Sequence, residues 1–143
     1  MSLTNQERFS RALHNTARAW RQALDRRMKD LGLSQASWLA IATLAKSDPM
    51  SQTELARQLG VEDPTMVAMI DRLVKGGYLL RVPSETDRRV KIVQLTERGQ
   101  DIYTQLRAVA DPFRHELLGG FDQEQLGAMA QFLEDLQASI EQK

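Results

Sequence analysis

Between Gly76-Gly77 and Thr96 the apolar residues of an otherwise helical chain change their period once, from every third or fourth position to short β-branched runs. Tyr78–Val82 and Val90–Leu95 read as the two strands of a hairpin, joined by the polar tip Pro83-Ser-Glu-Thr-Asp-Arg-Arg89. The expected fold is therefore mainly α with a small β wing, and the helices around the hairpin decide which fold of that class it is.

Glycine and proline mark off those helices. Residues 6–31 carry Phe9, Leu13, Ala17, Trp20, Leu24, Met28 and Leu31 at steps of three or four, the stripe of a long amphipathic helix. Gly32 stands where a left-handed cap is wanted. Ser34 caps a second helix with Trp38, Leu39, Ile41, Ala42 and Leu44, which Asp48-Pro49 ends. Ser51-Gln-Thr-Glu54 is a capping-box pattern opening a short helix that closes at Gly60. Asp63-Pro64 reads as an acidic cap with proline in the first turn of a fourth helix, running to Gly76-Gly77. After the hairpin, Thr96 caps a helix through Ile102, Leu106 and Val109, which Pro112 is expected to bend or restart. A last helix begins at Asp122 and carries Leu126, Met129, Phe132, Leu133, Leu136 and Ile140.

The order helix, helix, turn, helix, hairpin over residues 34–99 is that of a winged helix-turn-helix. Ala56 is small enough to let two short helices cross, and Leu55, Leu59, Val61, Val67, Ile70 and Leu73 are the expected shared core. That leaves Thr65, Ala68, Met69 and Arg72 as the face of the fourth helix available to a DNA major groove, with Thr53 and Pro64 beside it. At the hairpin tip, Asp87-Arg88-Arg89 places two guanidinium groups on an exposed turn suited to a narrow, electronegative minor groove. Asp87, two residues before Arg89, can hold that arginine in one rotamer and so lower its ordering cost on binding. Taken without the helices before it, the same tripeptide reads as a charged loop that aids solubility. Arg57, Lys75, Arg81 and Lys91 are candidates for phosphate contacts, which position a domain without reading sequence.

Charge is compatible with this despite a net value of zero. Residues 1–99 hold 16 Lys and Arg against 11 Asp and Glu, and residues 100–143 hold 3 against 8. A neutral total thus conceals a basic front and an acidic back. The 143 residues suffice for one domain, and the absence of cysteine excludes disulfides, thiolate zinc sites and thiol redox sensing. The longest apolar stretch, Trp38 to Ala45, is far shorter than a membrane span, and the first residues lack the apolar core of a signal peptide. A cytoplasmic location is expected. No enzyme chemistry is called for. His14 and His115 lie on separate helices without metal-ligand spacing, Glu134 and Asp135 point about 100° apart on a helix, and there is no glycine-rich phosphate loop. No cofactor or metal is expected, and the six methionines read as core filler.

Several of these segments together resemble a known family. Gly60-Val-Glu-Asp-Pro-Thr-Met-Val67, Ile70-Asp-Arg-Leu73, Gly76-Gly-Tyr-Leu79 and above all Asp87-Arg-Arg-Val-Lys-Ile-Val-Gln-Leu-Thr-Glu-Arg-Gly99 are similar to the MarR family of bacterial regulators. Leu33-Ser-Gln-Ala-Ser-Trp38 and Arg18-Ala-Trp-Arg21 resemble more narrowly its SlyA branch. The resemblance spans essentially the whole chain. It implies a homodimer in which residues 1–33 and 100–143 interlock as a helical dimerisation lobe, with two winged lobes below, residues 34–99, that read a pseudo-palindrome. It also implies that Arg89 enters the minor groove and that Asp87 orients it. One departure concerns the fourth helix, where the branch commonly presents an arginine to a base and this chain has Ala68. An alanine offers only apolar contact, for example to a thymine methyl.

The terminal helices give the dimer separate support, because their apolar stripes have no sheet to cover them; burial against each other in a monomeric bundle is the alternative. Arg18, Arg21, Trp20 and Trp38 are candidates for a cleft binding a small aromatic carboxylate or phenolic ligand, since arginine forks match a carboxylate and indole faces stack on a ring. The competing assignment makes both tryptophans ordinary core and both arginines solvated or paired with Asp25. The functional expectation is a sequence-specific, double-stranded-DNA-binding repressor or counter-silencer. Its rival is a winged-helix module for protein–protein assembly without an operator.

Overall fold

The computed structural model describes residues 1–142; Lys143, the last residue of the segment expected to dimerise, lies outside them. The chain divides into two compact units, Met1–Ala110 and Asp111 onward.

The first unit opens with α1, Asn5–Met28. Thr4 Oγ1 accepts from the Glu7 amide at 3.1 Å while Glu7 Oε2 accepts from the Thr4 amide at 2.9 Å, so two orphan donors of the first turn are satisfied reciprocally. A 3₁₀ turn, Lys29–Leu31, tightens the end, and Gly32 stops it with φ of 73°. Helix α2, Gln35–Ala45, starts at the Ser34 cap, whose hydroxyl accepts from the Ser37 amide. It ends at Ala45, a turn earlier than Asp48-Pro49 requires, with Lys46 closing it.

Helix α3, Gln52–Leu59, is capped by Ser51, which accepts from the Glu54 amide at 3.0 Å. Half of the capping box is replaced: Glu54 turns its carboxylate to Arg57 and Gln58 instead of back to Ser51. Gly60 takes φ of 66°, a region an L side chain rarely enters, and so allows the turn to α4, Asp63–Lys75. Glu62, not Asp63, occupies the cap position of α4, without a side-chain hydrogen bond. Asp63 is already helical, where its charge suits the positive end of the helix.

The hairpin is β2, Leu79–Pro83, and β3, Lys91–Leu95, paired antiparallel with Arg81 opposite Val93. A strand that the apolar pattern did not announce, β1, Met50–Ser51, pairs with the other edge of β3, giving the order β1-β3-β2. Two residues are too few to show alternation, so only pairing reveals them. Thr96 then closes the base of the hairpin. Its hydroxyl donates to the Gly77 carbonyl and accepts from the Gly99 amide at the start of α5, Glu97–Leu118. A Cβ at Gly99 would strike the Tyr78 carbonyl, so this position admits only glycine without a shift.

The core of the first unit gathers Leu24, Met28, Trp38, Ile41, Leu44, Leu55, Ala56, Met66, Met69, Ile70, Leu73, Leu79, Val93, Ile102 and Leu106, all buried. Leu59 and Val61, expected within it, are half-buried, and Val67 is exposed.

The second unit holds the end of α5 and α6, Gln123–Glu141. Pro112 does not restart α5, which runs as one helix through it. Asp122 caps α6 by accepting from the Glu124 amide. No residue of α6 is buried. Leu126, Met129, Leu133, Leu136 and Ile140 nonetheless follow one another at steps of three and four, a continuous apolar seam.

Candidate nucleic-acid interface

The candidate surface lies within the first unit and is built from α4 and the hairpin tip. Met66, Met69, Ile70 and Leu73 form the inward stripe of α4, each 3% exposed or less. Pro64, Thr65, Val67, Ala68, Asp71, Arg72 and Lys75 are left outside. The buried stripe thus keeps the expected Ile70 and Leu73 but leans toward Met66 and Met69, away from Val67. Met69, placed on the reading face in the sequence, packs inward, while Val67, assigned to the core, faces out. The run Met66-Val67-Ala68-Met69-Ile70 is apolar throughout, so periodicity alone allows two neighbouring faces to be the buried one. Packing selects the face with the two longer methionines, which reach farther into the core than Val67 does.

The tip is a tight turn. The Ser84 amide donates to the Val90 carbonyl at 2.8 Å and the Val90 amide to the Asp87 carbonyl at 2.9 Å. Asp87 Oδ1 accepts from the Arg89 amide at 3.0 Å and from Arg89 Nε at 3.1 Å, while Oδ2 accepts from Nη2 at 3.2 Å. These charge-assisted bonds, led by the one from the guanidinium, hold the Asp87 carboxyl below the usual carboxylate range. The Arg89 side chain is still 91% exposed. It is therefore fixed by its neighbour and open to solvent, a combination that leaves its charge available with part of its ordering already done. Arg88 and Lys91 are exposed beside it.

The remaining cations are arranged unequally. Thr53 is exposed on α3 near Arg57, whose Nη2 lies 2.6 Å from Glu54 Oε1 and helps push the Glu54 carboxyl down to about 2. Arg81, expected among the phosphate contacts, is only 24% exposed at its side chain. It donates from Nη2 to Asp71 Oδ1 at 2.7 Å and from Nε to Gln52 Oε1 at 2.9 Å. Neither partner was singled out by the sequence, since each is a common surface residue type far from Arg81 in the chain.

The four ligand candidates differ in exposure. Arg18 and Arg21 are exposed on α1 and make no hydrogen bond or ion pair among the described residues, Trp20 is half-buried, and Trp38 is in the core. Trp38 Nε1 and Gln35 Nε2, one turn apart on α2, are buried without a hydrogen-bond partner among the described residues. An open pocket of about 440 Å³ lies elsewhere, in the second unit, lined by Arg114, His115, Leu118, Gly119, Gln123 and Leu126. Among the described residues no group of His, Cys, Asp or Glu is placed to hold a metal ion, and no helix is long and apolar enough to cross a membrane.

The comparisons with known proteins agree with this architecture. The MarR family model matches residues 33–91, which run from before α2 to the first residue of β3. The crystal structure of the transcriptional regulator PA3341 aligns with a TM-score of 0.86 at 38% identity, over 94% of this chain and 99% of that one. AbsC, a MarR family transcriptional regulator from Streptomyces coelicolor, aligns with a TM-score of 0.84 at 20% identity, over 100% of this chain and 99% of that one. A mutant MarR from E. coli complexed with operator DNA gives 0.80 at 22% identity, over 95% and 99%. At such low identity the last two speak to the fold alone. The winged helix with its three-stranded sheet, the match over residues 33–91 and the full-length likeness at 38% identity lead to one assignment: this chain belongs to the MarR family, whose members are transcriptional regulators and not enzymes.

Proposed function

We propose that this chain is a cytoplasmic bacterial regulator that binds a pseudo-palindromic operator as a homodimer, with α4 in the major groove and Arg89 in the adjacent minor groove. The observation that carries the reading is the Arg89 guanidinium, held by Asp87 yet 91% exposed, in the same compact unit as an outward-facing α4. Thr65, Ala68 and Arg72, flanked by Pro64 and Thr53, then meet bases and nearby backbone, and Arg88 and Lys91 meet phosphates. The E. coli MarR structure of like fold is complexed with operator DNA, which favours the same use of the surface here. The segments around Trp38 and Trp20 support a place near the SlyA branch.

The exposed apolar residues of the second unit and of α1 support dimerisation. Leu117, Phe121, Met129, Leu133 and Ile140 are exposed large apolar residues, as is Leu13 on α1. A second copy covers such a seam, and residues 1–33 and 100–143 are the lobe we assign to that role. It spaces two winged lobes, residues 34–99, by a turn of DNA, ~34 Å. Repression or counter-silencing is then modulated by a small aromatic carboxylate, for which the exposed Arg18 and Arg21 offer guanidinium groups and the half-buried Trp20 a ring face, with Trp38 in the core. To matter, the ligand needs a coupling to DNA of about 1–3 kcal/mol.

Selection from random duplexes with the full chain tests the reading. A two-fold enriched site bound by a dimer supports it. Failure to enrich any palindrome would instead favour the protein–protein assembly module. Titration of salicylate against the complex with the enriched duplex tests the ligand, which is refuted if affinity stays constant to the solubility limit.

A further inference from the structure

Arg81 sits on β2 between two other elements. Its guanidinium reaches Asp71 on α4 at 2.7 Å and Gln52 at the start of α3 at 2.9 Å, ten and twenty-nine residues away in sequence. The two helices of the helix-turn-helix and the wing are thus joined through one planar cation. Its side chain is only 24% exposed, whereas that of Asp71 is 57% exposed on the outward face of α4. A carboxylate on a surface that approaches phosphates is unfavourable unless something else requires it. Two explanations compete for the same pair. Either Arg81 is a phosphate contact that Asp71 merely restrains, or the pair is a latch that sets the wing against the reading helix.

The geometry points to the latch. We propose that Arg81 is a positioning residue that holds β2, and through it the Arg89 tip, in fixed relation to α4, and that it makes no phosphate contact of its own. Both bonds use nitrogens on one edge of the fork, Nε and Nη2, directed to different elements, an arrangement a lysine ammonium cannot reproduce. The half-buried guanidinium already has two acceptors and has little reason to leave them for a solvated phosphate. This inference rests on the DNA-binding reading above for its purpose, and on the free protein for its existence.

The two explanations predict opposite signs for Asp71→Asn. If Arg81 binds phosphate, removing the nearby carboxylate tightens DNA binding. If the pair is a latch, the same change weakens it. The measurement is affinity for the enriched duplex, over a range of salt, for the full chain and for Asp71→Asn, Arg81→Met and Arg81→Lys, with amide hydrogen exchange of β2, β3 and α4 in the same proteins without DNA. The expected result is about a tenfold loss for Asp71→Asn and for Arg81→Met, a smaller or equal loss in Arg81→Lys, and faster exchange in the hairpin of each. The salt slope stays unchanged, where loss of a phosphate contact lowers it by about 0.9. Asp71→Asn is at an exposed position, so it reports even if Arg81→Met folds poorly. Tighter or equal binding by Asp71→Asn, or a reduced slope in Arg81→Met, overturns the proposal. Should the unaltered chain bind no duplex, the operator reading fails by itself. Exchange still decides the latch, which is overturned if the hairpin is as protected in the three variants as in the unaltered protein.

Discussion

Two parts of this chain dispose of their apolar side chains in opposite ways. From α2 to β3, one chain buries Trp38, Ile41, Leu44, Leu55, Met66, Met69, Ile70, Leu73, Leu79 and Val93. Helix α6 has a seam as regular as any of these helices and buries nothing. The difference separates two kinds of apolar pattern that look alike in sequence. The winged part is a core that a single chain completes, with polar groups left over for a partner of another chemistry. The seam of α6 is a surface that the single chain does not complete, and its natural complement is apolar.

Charging the seam gives the largest expected effect. Leu133→Glu should turn a sedimenting dimer into a monomer and lower affinity for the enriched duplex by more than about a hundredfold, because the second half-site is no longer tethered to the first. The winged unit should keep its helical circular dichroism. A variant that stays dimeric would break the comparison, since the seam would then have no need of a second copy. Ile70→Ala tests the opposite region. It removes a fully buried side chain from the core and should lower stability in a denaturant titration by about 2–5 kcal/mol, as part of the winged core of the monomer.

Arg89→Ala has a smaller and more local outcome. The side chain is 91% exposed and hydrogen-bonded to Asp87, so melting temperature should hold while affinity falls by about 1–3 kcal/mol, the worth of a specific base contact. Unchanged affinity would remove the minor-groove role. The smallest effect concerns Glu54. Its folded value lies below the ordinary 4.5, at about 2, chiefly through the bond from Arg57. Whatever stability the contact adds is therefore complete above pH 4.5 and lost as pH falls through about 2. Solvent screening keeps it small. Carboxyl NMR should show that midpoint, and Arg57→Ala should return it toward 4.5.

The same contrast explains how much could be read from the chain beforehand. Signals that act within a few residues were plain: the serine caps at Ser34 and Ser51, the glycine at Gly60, the threonine at Thr96, the change of period at Tyr78. The Asp87-Arg88-Arg89 tip also belongs to this group, because its hydrogen bonds run between residues two apart. The β1 strand and the Arg81–Asp71–Gln52 junction were not legible, because each depends on residues brought together from far along the chain.

By itself, the order of residues determined where most helices begin, the place of the hairpin and the basic tip, since backbone preference and capping are settled locally and every neighbour needed lies within one turn. Only tertiary structure decided which side of α4 faces outward and which arginine is free. Those choices rest on competing apolar faces and charges whose energies differ only once the elements are packed, when Met69 can be enclosed and Arg81 finds its two acceptors.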